Sequence, residues 1–83
     1  MKYLVLTIRK PQFDASVVPA HYAFLQSLRD QGILEQAGPF TDRSGGAYII
    51  AADNFEQARQ LAERDPLHIH DCSDVTVHEW DVS

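Results

Sequence analysis

The chain has 83 residues, a formal net charge of −5 and one cysteine, Cys72. A chain of this length is expected to form one domain, residues 1–83, and to bury only about 60–65% of its unfolded surface, so a partner would have to enlarge its core. The excess of acidic over basic residues argues against nucleic acid and anionic membranes as partners, because no basic stripe is present to neutralise phosphates. The lone cysteine excludes an internal disulfide.

The apolar run from Met1 to Arg9 is too short for a signal peptide with its cleavage site and far too short to span a bilayer. We therefore expect a soluble cytoplasmic protein. Within this run, the residues from Lys2 to Ile8 are largely apolar and do not alternate with polar ones, which is typical of a strand covered on both faces.

A helix is predicted from Val17 to about Gln31, where apolar residues recur at helical spacing. Asp14 or Ser16 can cap its start, and Gly32 stands at the position expected just beyond its end. His21 lies inside the apolar stripe, so its imidazole is expected to face the sheet.

A hairpin is predicted after this helix. The residues from Ile33 to Phe40 form a plausible strand, in which Gly38-Pro39 would lie at a sheet edge or a bulge. The polar stretch from Thr41 to Gly46 predicts the hairpin loop, and the residues from Ala47 to Ala52 form the returning strand.

A second helix is predicted after Asp53, with Glu56 in a box-like capping arrangement, and it should end at Asp65 because Pro66 disfavours helical backbone before it. That position puts a carboxylate at the negative end of the helix dipole, which costs up to roughly 1 kcal/mol unless a cation or a hydrogen-bond donor meets it. A last strand is predicted from Val75 to Val82.

The resulting order, βαββαβ, predicts an α+β fold of the ferredoxin-like sandwich type, with an antiparallel four-stranded sheet and both helices on one face. Tyr3, Val5, Tyr48 and Trp80 would then leave more apolar area on the other face than a soluble monomer exposes. We therefore expect two sheets to pack face to face in a homodimer.

Several short motifs occur in order along nearly the whole chain. They are His21-Tyr-Ala-Phe-Leu25, Gly32-Ile-Leu34, Ala37-Gly-Pro-Phe40, Gly46, Phe55-Glu-Gln-Ala58, Asp65-Pro66-Leu67 and Glu79-Trp80. Together they resemble the YciI-like proteins, the YCII domain family, which implies a small dimeric α+β barrel.

The resemblance also implies an active-site pair, formed by the histidine of the first helix and the aspartate of the Asp-Pro step, here His21 and Asp65. A few characterised relatives act as dehydrochlorinase-type lyases on chlorinated hydroxyquinols. The chain departs from the family at Val18, where a basic residue is common, and this argues against an anion clamp on the first helix.

A His21–Asp65 pair would have a clear chemical use. An aspartate that accepts a hydrogen bond from one ring nitrogen fixes the tautomer and makes the other nitrogen a better general base, which typically contributes about 10²- to 10⁴-fold to a rate. Such a base would suit proton abstraction from a small, partly apolar substrate. The alternative is that His21 is a satisfied core histidine and Asp65 a helix-end acid bonded to nearby amides.

A ligand could approach the backbone closely at Gly38-Pro39 and at Gly45-Gly46, although an edge bulge and a hairpin tip are the simpler explanation of these residues. Aromatic side chains with polar tips could line a pocket or build the core. They are Tyr22, Tyr48 and Trp80. We assign Gly38, Pro39 and Tyr48 to the candidate substrate site.

The segment from His68 to Cys72 contains residue types that ligate metals, but a third ligand is undefined, and a surface turn is the simpler interpretation. We predict no metal and no cofactor. Asp71 and Asp74 disfavour a thiolate at Cys72, so this cysteine is not expected to be a nucleophile.

Three functions are compatible with these residues. The first is a small enzyme in which His21, oriented by Asp65, moves a proton in a lyase or isomerase reaction. The second is a non-catalytic module that holds a small metabolite or a protein in the same cleft. The third is a dimeric structural protein in which the pair only satisfies buried polarity.

Overall fold

The computed structural model describes residues 1–82, and Ser83, the last residue of the predicted domain, lies outside them. The helices and strands follow the predicted order, with one short helix added before the last strand. They are β1 (Lys2–Arg9), a 3-10 turn (Ala15–Val17), α1 (Val18–Asp30), β2 (Leu34–Pro39), β3 (Gly45–Ala51), α2 (Phe55–Glu63), α3 (Pro66–Ile69) and β4 (Ser73–Trp80). No helix in residues 1–82 is long and apolar enough to cross a membrane.

The four strands form one sheet in the order β2-β3-β1-β4, and every neighbouring pair is antiparallel. This is the predicted ferredoxin-like arrangement. β2 is an edge strand, as its Pro39 requires, but its irregularity in register lies between Leu34 and Gln36 rather than at Gly38-Pro39.

The helices cover one face of the sheet, and the core lies between this face and the helices. Tyr3, Val5, Tyr48 and Ile50 point into it and are almost completely buried, together with Leu28 from α1. The prediction that Tyr3, Val5 and Tyr48 lie on a bare face is therefore wrong. The reason is the period of two along a strand: when both faces are apolar, the sequence does not show which set meets the helices.

The face without helices, called here the open face, also carries large apolar side chains. The alternate residues of β1, Leu4 and Leu6, are half-buried, and Ile49 of β3 lies beside them. Ile8 and Trp80 on the same face are 41% and 42% exposed. An apolar patch thus exists on β1 and β3, next to polar side chains of β4, although only Trp80 among the four residues named for this face lies there.

The helix ends depend on local hydrogen bonds. Asp14 caps the 3-10 turn rather than α1, and it accepts a hydrogen bond from the Ser16 backbone N–H. The predicted end of α1 at Gly32 is confirmed, because this residue has a φ of +75°. At α2 the predicted cap is wrong by one residue: Asn54, not Asp53, accepts the hydrogen bond from the backbone three residues on.

Candidate functional site

Asp65 begins a helix, which corrects the prediction that it ends one. α2 ends at Glu63, and Asp65 has an extended conformation (φ −63°, ψ 129°) and caps α3, which has Pro66 in its first turn. Its Oδ1 accepts a hydrogen bond from the Leu67 backbone N–H at 2.9 Å. The carboxylate is therefore at a favourable helix end, and the same proline that stops α2 starts α3.

His21 of α1 lies against this carboxylate. Its Nδ1 is 2.8 Å from Oδ1 and 3.0 Å from Oδ2 of Asp65. Asp65 is fully buried, and the His21 side chain is 13% exposed. Since a carboxylate can only accept, we assign the ring proton to Nδ1, which leaves Nε2 with a free lone pair towards the cleft. The arrangement holds the ring in the tautomer that a general base requires.

Tyr48 of β3 supplies a further donor. Its hydroxyl donates to Asp65 Oδ2 at 3.1 Å, and its ring centroid is 6.3 Å from that of His21. Burial, and then the charge and the hydrogen bond of Asp65, raise the pKa of Tyr48 far above its usual range. The tyrosine therefore stays protonated and keeps donating. Both carboxylate oxygens are thus bonded to protein donors.

We expect Tyr48 to make the protein less stable at alkaline pH. An unfolded tyrosine loses its proton near pH 10, whereas the raised pKa keeps the proton on Tyr48 in the folded state. The contribution of Tyr48 to the free energy of unfolding is therefore fully present below about pH 10. Above this pH it is lost progressively, and the loss is about 1.4 kcal/mol at pH 11. Urea unfolding at pH 8 and pH 11 should show a smaller loss for Tyr48→Phe than for the natural chain; equal losses would contradict this.

The pair opens onto a cleft with a cavity volume of about 60 Å³. All three residues assigned to the substrate site, Gly38, Pro39 and Tyr48, line it together with His21. Gly45 and Gly46 line it as well, and at both positions neighbouring backbone atoms leave no room for a Cβ. A Cβ on Gly45 would lie 1.9 Å from the Thr7 carbonyl oxygen, and one on Gly46 would lie 2.7 Å from the Gly38 carbonyl oxygen.

The other candidate residues are divided between the cleft and distant surfaces. Tyr22 lines the cleft, with its ring centroid 5.5 Å from that of His21, whereas Trp80 belongs to the open face. His68 lies in α3 and His70 caps its end, so the predicted turn is partly helical. In the described part of the chain, no three His, Cys, Asp or Glu side chains could together hold a metal ion. Cys72 is buried.

Several residues that the fold brings to the cleft were not predicted from the sequence. Arg9 and Ser73, Cα partners on β1 and β4, both line it, as does Phe13 from the loop after β1. Arg9 continues the alternation of Tyr3, Val5 and Thr7, so the strand pattern contained a signal for its orientation. No sequence signal links Arg9 with Ser73, because their pairing depends on the strand order.

Comparison with known proteins identifies what the chain is similar to. The family model described as the YCII-related domain matches residues 1–81. The uncharacterized protein YjpA of Bacillus subtilis (strain 168) is 42% identical over 78 residues, which cover 94% of this chain and 92% of YjpA. A solved structure, 5-chloro-2-hydroxyhydroquinone dehydrochlorinase (TftG) from Burkholderia phenoliruptrix AC1100 in complex with 2,5-dihydroxybenzoquinone, matches with a TM-score of 0.78. The match covers 100% of this chain and 96% of that one at 20% identity, which shows a common fold.

Proposed function

The chain belongs to the YCII-related domain family, and we propose that it is a small enzyme whose His21–Asp65 pair acts as general base. The reaction class is a lyase or isomerase reaction on a small organic molecule. No cofactor is part of this proposal.

The observation that supports the proposal is the hydrogen bond between His21 Nδ1 and a fully buried carboxylate. Burying an ionised carboxylate costs free energy unless donors meet it, and here a histidine, a tyrosine and a backbone amide do so. This arrangement fixes the orientation of the imidazole and the ring nitrogen that carries the proton. A histidine that only filled the core would not need to lie at a cleft with one ring nitrogen free.

The structural neighbour supports a specific reaction type. TftG is a dehydrochlorinase and was solved with 2,5-dihydroxybenzoquinone. A chlorinated hydroxyquinol is aromatic, so loss of HCl would proceed from its keto tautomer, in which the carbon that bears chlorine also carries a hydrogen. His21 Nε2 would take the proton of a ring hydroxyl, the electron pair of that O–H bond would form a C=O bond and shift the ring double bond, and chloride would leave with the electrons of the C–Cl bond. The substrate would lie against Gly38, Pro39 and Tyr48.

The test is His21→Ala, with His68→Ala as control because His68 lies in α3, outside the cleft. Chloride release from 5-chloro-2-hydroxyhydroquinone would be measured together with binding of 2,5-dihydroxybenzoquinone. We expect His21→Ala to lower turnover by about 10²- to 10⁴-fold while binding changes little, and His68→Ala to behave like the natural chain.

The same experiment separates the enzyme from a binding module. If the natural chain binds the quinone but releases no chloride from any chlorinated hydroxyquinol, the cleft is a non-catalytic binding site for a small metabolite. If His21→Ala only lowers stability and alters neither binding nor turnover, the pair is structural.

We also propose that the open face joins two copies of the chain. Leu4, Leu6 and Ile49 form its centre, and an identical face is the surface that matches it in a two-fold symmetric dimer. Sedimentation at micromolar concentration should give twice the 9.4 kDa of one chain. Leu6→Glu should give the monomer, because the dimer would bury the unpaired charge of the new carboxylate. Thr41→Glu, in the exposed hairpin turn, should leave the dimer intact. A dimeric Leu6→Glu would contradict the proposed interface.

A further inference from the structure

One end of the cleft combines a cation with a hydroxyl that has no hydrogen-bond partner within residues 1–82. We propose that Arg9 and Ser73 bind the charged oxygen of a small organic anion, and so determine which molecules reach His21. The inference rests on the proposed function, since it names the substrate class of the same site. Its residues come from β1 and β4, opposite the helix that carries His21.

Arg9 has its side-chain donors available. Its guanidinium carbon lies 4.2 Å from the centroid of the Phe13 ring, and its backbone N–H is bonded to the Ser44 carbonyl. Within residues 1–82 the guanidinium forms no ion pair. Contact with the aromatic ring restricts the guanidinium without using its N–H groups, which is the state that a binding group for a carboxylate or enolate needs.

Ser73 is the second observation, and it is independent of Arg9. Its residue is 3% exposed, and its Oγ is buried without a hydrogen-bond partner in the described part of the chain. A buried hydroxyl without a partner is costly, so such a group points to a missing acceptor or donor. Ser73 lines the cleft, and rotation about χ1 can bring its hydroxyl to an oxygen bound there.

The charges around the cleft select an anion. The chain carries twelve acidic residues against seven Lys and Arg, yet none of the cleft-lining residues in the described part of the chain is Asp or Glu. The carboxylate of Asp65 lies behind His21, fully buried and bonded. Arg9 therefore faces its ligand without a competing carboxylate, whereas most of the protein surface repels anions.

This placement orients the substrate. An oxygen held by Arg9 and Ser73 fixes one end of the molecule, and the other end, with its acidic hydrogen, meets Nε2 of His21. A neutral analogue of the same shape would leave the guanidinium without its counter-charge and would bind less tightly.

The test uses benzoate and benzamide, two probes of similar shape that differ in charge, titrated into the intact protein and followed by NMR signals of the cleft amides. We expect benzoate to bind about tenfold more tightly than benzamide at low salt, and this preference to shrink as salt is added. Arg9→Gln should abolish the preference. Arg59→Gln removes a positive charge from α2, away from the cleft, and should leave the preference for benzoate unchanged.

Ser73→Ala provides a second readout. It should weaken benzoate binding about threefold without lowering the stability of the free protein, because the hydroxyl that it removes has no hydrogen-bond partner among the residues that the structure describes. A loss of stability with unchanged binding would show that the hydroxyl is structural and would overturn its role.

The inference fails if benzoate and benzamide bind equally, if benzoate does not bind in the cleft, or if Arg9→Gln behaves like Arg59→Gln. These outcomes leave the proposed function intact, since His21→Ala tests it by turnover. Conversely, Arg9-dependent anion binding without turnover of any chlorinated hydroxyquinol would support the anion site and contradict the enzyme.

Discussion

Asp65→Ala is expected to lower the free energy of unfolding by about 3–5 kcal/mol. The substitution leaves three donors without their acceptor: His21 Nδ1–H, the Tyr48 hydroxyl and the Leu67 backbone N–H. The Leu67 bond is also the cap of α3, so the helix start loses its side-chain acceptor. Urea unfolding at pH 7 measures the change, and a loss below about 1 kcal/mol would show that the network contributes little.

Asp65→Asn is the matched control, because it keeps the size of the side chain and an acceptor oxygen. The amide can still accept from Leu67 or Tyr48, so the stability loss should be smaller than for alanine. The tautomer population of the His21 ring should nevertheless change greatly, because the amide no longer requires the proton on Nδ1. Nitrogen chemical shifts of the ring would show a mixture of tautomers, and turnover would fall with them. An unchanged tautomer would contradict the orienting role of Asp65.

Gly45→Ala is expected to destabilise the protein by about 3–5 kcal/mol. The added Cβ would lie 1.9 Å from the Thr7 carbonyl oxygen and 2.9 Å from its carbonyl carbon, both of them backbone atoms of the neighbouring strand. No side chain can rotate away to relieve this contact, so β1 and β3 must separate at the end that forms the cleft. Thermal unfolding should show a clear drop in Tm.

Gly38→Ala is the control for this prediction. Gly38 lies in β2 on the same hairpin and also lines the cleft, but a Cβ there would meet nothing within 4 Å. Its change in unfolding free energy should stay within about 0.5 kcal/mol. If the two variants are equally stable, the close approach of β3 to β1 is not what restricts Gly45.

The order of helices and strands could be predicted because it depends on local signals. The apolar run of β1, the helical spacing around His21, the glycine at the end of α1 and the polar hairpin turn all act over a few residues. The His21–Asp65 pair could be named only through the resemblance to a family. Composition and spacing alone favoured a satisfied core histidine.

The predictions that were wrong concern local patterns that are compatible with two different structures. Asp65 before a proline can end one helix or begin the next, and the choice depends on whether the following residues can form a helical turn. In β1 either face could have met the helices. Packing against α1 and α2 decided that Tyr3 and Val5 are in the core and that Leu4 and Leu6 are on the open face.

The sequence by itself determined the fold class, the helix and strand order and the residue types available for chemistry, because propensity, periodicity and turn residues act within a few positions of one another. The tertiary structure alone decided which of those residues meet. His21 and Asp65 are 44 positions apart, and Arg9 lies beside Ser73 only because β4 pairs with β1. Such contacts depend on how the sheet is ordered and which face the helices cover, and both are properties of the packed molecule rather than of any stretch of the chain.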